Sequence, residues 1–412
     1  MQTAAARRKA RAANNQSRAS RPWHDRPDAG GAVHDMKILF FNMGDKDFDP
    51  QTPLHGPLGG TESAIAYLTA ALARQGCAVT LVSRTDKPRV VDGVRVVPLT
   101  GISPQEIDAH DLVCVISVAA GSRIKMHLKL TAPMVLWCHM AIDQPTVQLL
   151  DRPEEQAAWD GYVMVSEWQS RLYRERFKLE PAAVHVIGNA ISPAFAAKPL
   201  APAWFETGAP PTLLYSSTPY RGLDRLLMSF PAIRARVPQA RLKIFAGMAL
   251  YGADPVTDRY RYLYDLTRAL EGADYIGPVG QAELSEAYGA AAALAYPSSF
   301  PETSCITVME AMASGADVLT TDMGALKETL AGFGRMIAPE ITLGKLVQTP
   351  TDIMDYVDMV VDALAQAQAN PAAAAAERQK RAGFAREHYS WDARARQWIA
   401  LAEGLAAKRR AA

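Results

Sequence analysis

Two carboxylates, Glu302 and Glu310, stand eight residues apart at the start of an expected helix. The stretch reads Tyr296-Pro-Ser-Ser-Phe-Pro-Glu-Thr-Ser-Cys-Ile-Thr-Val-Met-Glu-Ala-Met-Ala-Ser-Gly315. Pro297 and Pro301 break whatever precedes it. Thr303 and Ser304 can then cap a helix through Ala313, and Gly315 suits its left-handed stop. The backbone N–H groups of Thr303, Ser304 and Cys305 are expected to face outward at the positive end of the helix dipole, where a phosphate is stabilised. Glu302 lies at the mouth of the loop and Glu310 two turns in, both placed to accept hydroxyls. The chemistry on offer is an anion held at a helix N-terminus between two acceptors.

Such a site needs strands to hold it. The apolar run 291–296 enters the stretch as a buried strand, and others precede it at 36–41, 78–83, 94–97, 112–117, 134–138, 161–166 and 183–187. Short apolar runs alternating with helical segments predict parallel, doubly wound sheets. In the first half Gly56-Pro-Leu-Gly-Gly-Thr-Glu-Ser63 opens an Ala-rich helix over 64–74, capped by Thr61 or Ser63. Gly59 and Gly60 there would let backbone approach a phosphate. His139 follows directly on the strand 134–138, at the carboxyl end where open α/β sheets take ligands. Residues 193–211 are rich in Pro and Ala and read as a linker, after which the strand–helix alternation resumes from 212.

The stretch around Glu302 and Glu310, continued by Ala-Met-Ala-Ser-Gly-Ala-Asp-Val-Leu-Thr-Thr-Asp322, Gly324 and Glu328, resembles the E-x7-E signature of retaining group 1 glycosyltransferases of the GT-B fold. The resemblance is thin in the first half and dense from Thr212 to Glu328. It implies two Rossmann-like domains facing across a cleft, over 36–195 and 205–385, with a segment 386–412 crossing back to the first. It also implies transfer of a sugar from a nucleotide diphosphate donor, such as a UDP- or GDP-sugar, to a hydroxyl of a glycan or lipid-linked acceptor. Anomeric configuration would be retained, with no metal and no cofactor beyond the donor. By the same resemblance Glu302 approaches the donor sugar, Glu310 holds the ribose, and His139 reaches the sugar from the opposite domain. The base would lie near Gly277 and Val279. Relatives work most often in polysaccharide or lipopolysaccharide assembly, which implies a cytoplasmic protein, peripheral at the inner face of a membrane.

Tyr215-Ser-Ser-Thr-Pro-Tyr-Arg-Gly-Leu-Asp224 is the second loop expected at the diphosphate. Arg221 stands where relatives carry a Lys, and the usual Arg position holds Ser216 or Ser217. Hydroxyls there can donate hydrogen bonds without supplying the missing charge, while Arg221 can clamp phosphates bidentately. Relatives also carry Gly-Phe-Gly where this chain has Thr303-Ser304-Cys305. Two rival readings stay open: an epimerase or hydrolase on the same fold, and a non-catalytic nucleotide-sugar-binding protein.

Composition sets the outer limits. At 412 residues two domains are expected, and a formal charge of +1 gives no general electrostatic case for nucleic acid. The four cysteines, Cys77, Cys114, Cys138 and Cys305, are far apart and read as reduced core residues without metal-ligand spacing. Asp45-Lys-Asp-Phe-Asp49 reads as a solvated acidic loop rather than a metal motif. Residues 1–35, with Arg7, Arg8, Lys9 and Arg11 among Ala, Asn and Ser, predict a disordered basic tail, a lipid-touching arm being the alternative.

Overall fold

Two parallel sheets, each with helices on both faces, build the molecule. The computed structural model describes residues 36–254, 256–338, 341–342, 345–346 and 350–411, and all belong to one compact unit. The expected tail over 1–35 lies outside the described residues.

The first sheet has the strand order β3-β4-β2-β1-β5-β6-β7-β8. Its strands are β1 (Lys37–Phe41), β2 (Ala78–Val82), β3 (Arg89–Val91), β4 (Val94–Val97), β5 (Leu112–Ile116), β6 (Met134–Cys138), β7 (Gly161–Met164) and β8 (Val184–Val186). β5 and β6 are buried at every position, which is why their sequences are unbroken apolar runs rather than alternating ones. All pairings are parallel except β3 with β4. That hairpin turns on Asp92 and Gly93, both at positive φ, 51° and 78°. An Asp-Gly pair between short apolar runs is the signal for such a turn, so β3 adds a strand to those expected from the apolar runs.

The second sheet has the order β11-β10-β9-β12-β13-β14, wholly parallel. It comprises β9 (Thr212–Tyr215), β10 (Arg241–Ile244), β11 (Ala273–Tyr275), β12 (Ala293–Tyr296), β13 (Asp317–Thr321) and β14 (Arg335–Ile337). The winding order reverses between the parallel neighbours β9 and β12, so the loops leaving these two strands diverge and leave a crevice at their carboxyl ends. The order of the first sheet reverses likewise between β1 and β5.

The segment 193–211 is less free than its composition suggests. Short helices Pro193–Ala196 and Trp204–Thr207 fold within it, because Phe195 and Trp204 are buried in the core and anchor both ends. The chain passes back to the first lobe between the helices Pro371–His388 and Trp391–Ala411. Trp398 is fully buried there, 5.8 Å from Phe40 and 5.2 Å from Trp137 between ring centres, and Arg74 pairs with Asp392 at 2.6 Å. The C-terminal helix therefore completes the core of the first lobe. Among the described residues no helix is long and apolar enough to cross a membrane.

Candidate active site

β12 ends at Tyr296, and the chain turns through two prolines before Glu302. Glu302 is fixed first by its backbone. It forms a parallel bridge with Gly324, and its carbonyl accepts from the Ala325 N–H at 2.7 Å. Gly324 has φ 67°, and a Cβ there would stand 2.4 Å from the Glu302 carbonyl oxygen, so only glycine permits this approach. The Glu302 side chain, 3% exposed, accepts from Arg221 Nη1 at 2.9 and 3.0 Å and from the Tyr296 hydroxyl.

Arg221 arrives from the loop after β9. Gly222, at φ 111°, lies so close to Pro297 that a Cβ would sit 2.2 Å from the Pro297 carbonyl oxygen, which holds the two loops together. The guanidinium packs over the Phe300 ring, 4.7 Å from its centre. One nitrogen serves both oxygens of Glu302, while Nε is shielded and unpartnered.

The helix that follows runs Ile306–Ala313, and its N-cap is Cys305, without a side-chain capping bond. The expected caps Thr303 and Ser304 lie before it. Thr303 instead donates its hydroxyl to the His139 carbonyl at 2.9 Å, joining the lobes, and the Ser304 hydroxyl has no partner. A helix begun later puts the N–H groups of residues 305–308 at its open end, so of the three expected donors Cys305 stays there and Thr303 and Ser304 lie before it. In the first lobe the shift is the opposite one: the helix starts earlier than expected, running Gly60–Arg74 from the N-cap Gly59, and neither Thr61 nor Ser63 caps it.

Glu310 is 2% exposed, on the buried side of its helix. Among the described residues its carboxylate accepts one hydrogen bond, from the Ser192 backbone N–H at 3.4 Å, so burial dominates and pushes its carboxyl up to about 8. Ser216 is bound to the Tyr288 and Thr307 hydroxyls, and Ser217 contacts the Tyr296 hydroxyl at 3.3 Å. These hydroxyls brace the loop after β9 from below.

His139 closes the opposite wall. Its backbone N–H donates to Ser117 Oγ at 3.0 Å and its ring stands edge-on to Trp137, centres 4.5 Å apart. Burial lowers its pKa to about 4, and Nε2 is shielded without a partner. Gly60 brings the first lobe within 3.8 Å of Ile306, measured from a Cβ built on the glycine.

Together these residues line one cleft of about 790 Å³. Gly59, Gly60, His139, Ser216, Ser217, Arg221, Glu302, Thr303, Ser304, Cys305, Glu310 and Val279 all reach it; Gly277 does not. Gly277 is turned away at φ 89° with its N–H on the Ile244 carbonyl. Asn42 Nδ2, His139 Nε2, Asn189 Oδ1, Thr218 Oγ1, Arg221 Nε and Ser304 Oγ are shielded at this cleft without hydrogen-bond partners. Buried polar atoms are normally satisfied, so this concentration marks a place built for a polar ligand.

Two contacts lie outside the sequence expectations. Lys46 Nζ lies 4.7 Å from the centre of the Tyr251 ring in the other lobe and 3.7 Å from Glu62. Glu328 accepts from the backbone N–H groups of Glu167 and Trp168 at 2.9 and 3.0 Å, capping a helix of the first lobe from the second. Neither contact has a local sequence signal. The acidic loop 45–49 is not merely solvated either: Asp47 and Asp49 both pair with Arg89, at 2.7 and 2.8 Å, and Phe48 is fully buried. Among the described residues no three His, Cys, Asp or Glu are grouped to hold a metal.

Residues 210–366 match the family profile described as glycosyl transferases group 1. No curated protein sequence matches the chain. Among solved structures, sucrose-phosphate synthase from Thermosynechococcus elongatus is similar at TM-score 0.66 and 18% identity, over 90% of this chain and 100% of that one. HepE from Anabaena, in complex with UDP-glucose, is similar at 0.59 and 16%, over 90% and 99%. An α,α-trehalose-phosphate synthase from Burkholderia vietnamiensis is similar at 0.62 and 11%, over 90% and 99%. At these identities the likeness establishes the shared GT-B fold.

Proposed function

Taking residues 210–366 as a group 1 glycosyltransferase domain within a GT-B fold, we propose that the protein transfers a sugar from a nucleotide diphosphate donor to a hydroxyl acceptor, with retention and without a metal. The observation that carries this reading is Arg221. One guanidinium nitrogen holds Glu302, while Nε and Nη2 make no hydrogen bond among the described residues. That free edge is the planar fork that takes two phosphate oxygens. The open N-terminus of the Ile306–Ala313 helix supplies further N–H donors to the same anion.

In the proposed reaction the bond from the anomeric carbon to the phosphate oxygen breaks as the acceptor oxygen bonds to that carbon on the same face. The acceptor proton passes to the departing phosphate oxygen. Charge therefore builds on the diphosphate, where Arg221 and the helix N-terminus stabilise it most. Glu302 and the neutral ring of His139 take sugar hydroxyls from opposite walls, and Glu310 accepts from the ribose. The lobe contact at Thr303 and His139 supports a closed cleft that excludes water from the donor.

A nucleotide-release assay with a panel of UDP-, GDP- and ADP-sugars tests this. Release from one donor, raised by a glycan or lipid-linked acceptor and lowered roughly 100-fold in Arg221→Lys and Glu302→Gln, is the expected result. Acceptor-independent release would instead identify a hydrolase or epimerase. Tight donor binding without release under any acceptor would leave a binding protein.

A further inference from the structure

A second cavity, of about 480 Å³, shares no lining residue with the cleft. It lies among the helices Pro350–Ala369 and Pro371–His388, strand β13 and the short helix Trp204–Thr207. Arg378 lines it, 8% exposed, and makes no hydrogen bond or ion pair among the described residues. An unpaired buried cation is expensive, and its desolvation lowers the Arg378 pKa. The fold nevertheless makes room for it. Gly315, at φ 77°, sits beneath the side chain, and a Cβ there would stand 2.7 Å from Arg378 Cγ and 2.9 Å from Nε.

Two of the surrounding carboxylates are already engaged, and the third, Glu377, is exposed to solvent and makes no ion pair with Arg378. Asp317 is shared by Arg381 at 3.2 Å and Arg335 at 3.9 Å. Glu206, whose charge Arg378 senses, spends its carboxylate on the Ala203 N–H at 2.6 Å. Arg381 also donates to the Gly315 carbonyl at 2.8 Å, yet its Nε is shielded and unpartnered. The lining thus holds three arginines against Asp317 and Glu377, beside an apolar wall that includes Trp204, Phe205 and Leu364.

We propose that this cavity binds a small amphipathic anion, its carboxylate or phosphate head on Arg378 and its apolar body against Trp204, Phe205 and Leu364. Ligand sites are commonly concavities of this size, largely apolar, with one or two placed charges. The guanidinium of Arg378 would gain the charge-assisted hydrogen bonds it now lacks. The proposal is independent of the transfer reaction.

The test uses the full chain, with UDP, GDP and ADP present together at saturation to block the cleft and anilinonaphthalene sulfonate as fluorescent probe. Octanoate and octyl phosphate should displace the probe, their ranking distinguishing a carboxylate from a phosphate head, and inorganic phosphate should do so poorly. Arg378→Met should weaken the better of the two about tenfold or more, and Ala367→Trp, which fills the cavity, should abolish displacement. Binding of whichever of the three nucleotides the wild type takes should be unchanged in both. The ligand-free Arg378→Met protein should melt no lower than wild type, since an unpaired cation has been removed. Equal binding to wild type and Arg378→Met, equal displacement by inorganic phosphate, or a lower melting midpoint in that variant would overturn the proposal.

Discussion

Arg221 Nη1 lies 2.9 Å from one carboxylate oxygen of Glu302 and 3.0 Å from the other, so the one strong cation of the donor loop and the first carboxylate of the helix loop form a single unit. Neither is free to act alone. Glu302 is almost wholly buried, and removing its partner strands a charge. Arg221→Met should therefore cost about 3 kcal/mol of stability, the lower end for a broken buried pair because the guanidinium is partly exposed. Adding Glu302→Gln should restore most of that. Urea denaturation of both single variants and the double variant checks the coupling; additive losses would refute it.

Glu310 makes a pH prediction. Its carboxyl titrates near 8 in the folded protein, above its unfolded value, so folding keeps a proton there that the unfolded chain releases. The stability from this group is full below the ordinary carboxylate pKa and is lost as pH rises toward 8. Glu310→Gln should thus match wild type near pH 4 and exceed its stability at pH 8 by a few kcal/mol, at roughly 1.4 kcal/mol for each pH unit separating the folded and unfolded pKa values. Denaturation midpoints across that range are the measurement.

The same proton bears on donor binding. If ribose hydroxyls donate to an ionised Glu310, donor binding near pH 7 should release a proton. Calorimetric titration in buffers of different ionisation enthalpy should show release in wild type and none in Glu310→Gln.

His139 should stay neutral through the physiological range, because burial holds its pKa near 4. Its imidazole resonances should titrate around that value, and transfer should show no loss near pH 6.5 traceable to this ring. His139→Gln should behave the same between pH 5.5 and 8, about tenfold less active if one hydrogen bond to the sugar is lost.

Gly324 ties backbone geometry to the site. Gly324→Ala places a methyl 2.4 Å from the Glu302 carbonyl oxygen at a φ that disfavours a side chain. A loss of more than about 2 kcal/mol is expected, together with loss of donor binding, since Glu302 must move. Thermal melting and donor titration on the same preparation would reveal a variant that is stable but inactive or the reverse.

The sheets and the strand–loop–helix at 291–315 are legible in the sequence because a buried parallel strand must be apolar throughout, and prolines and glycines mark where it stops. The helix starts are less so. Thr303 is a good cap by type, but a contact from the other lobe, the His139 carbonyl, claims its hydroxyl. Pairings such as Arg221 with Glu302, Lys46 with Tyr251 and Glu328 with the Glu167–Phe177 helix join residues far apart in the chain. Nothing local encodes them; they exist only once both sheets have formed.

Trp398 packs against both Phe40 and Trp137, so the first lobe borrows a core residue made long after its own strands. During synthesis, β1 to β8 must wait with that surface uncovered while the whole second lobe is built. A fragment covering residues 36–195 alone should consequently be sticky and poorly soluble, whereas supplying the Trp391–Ala411 helix as a separate peptide should rescue it.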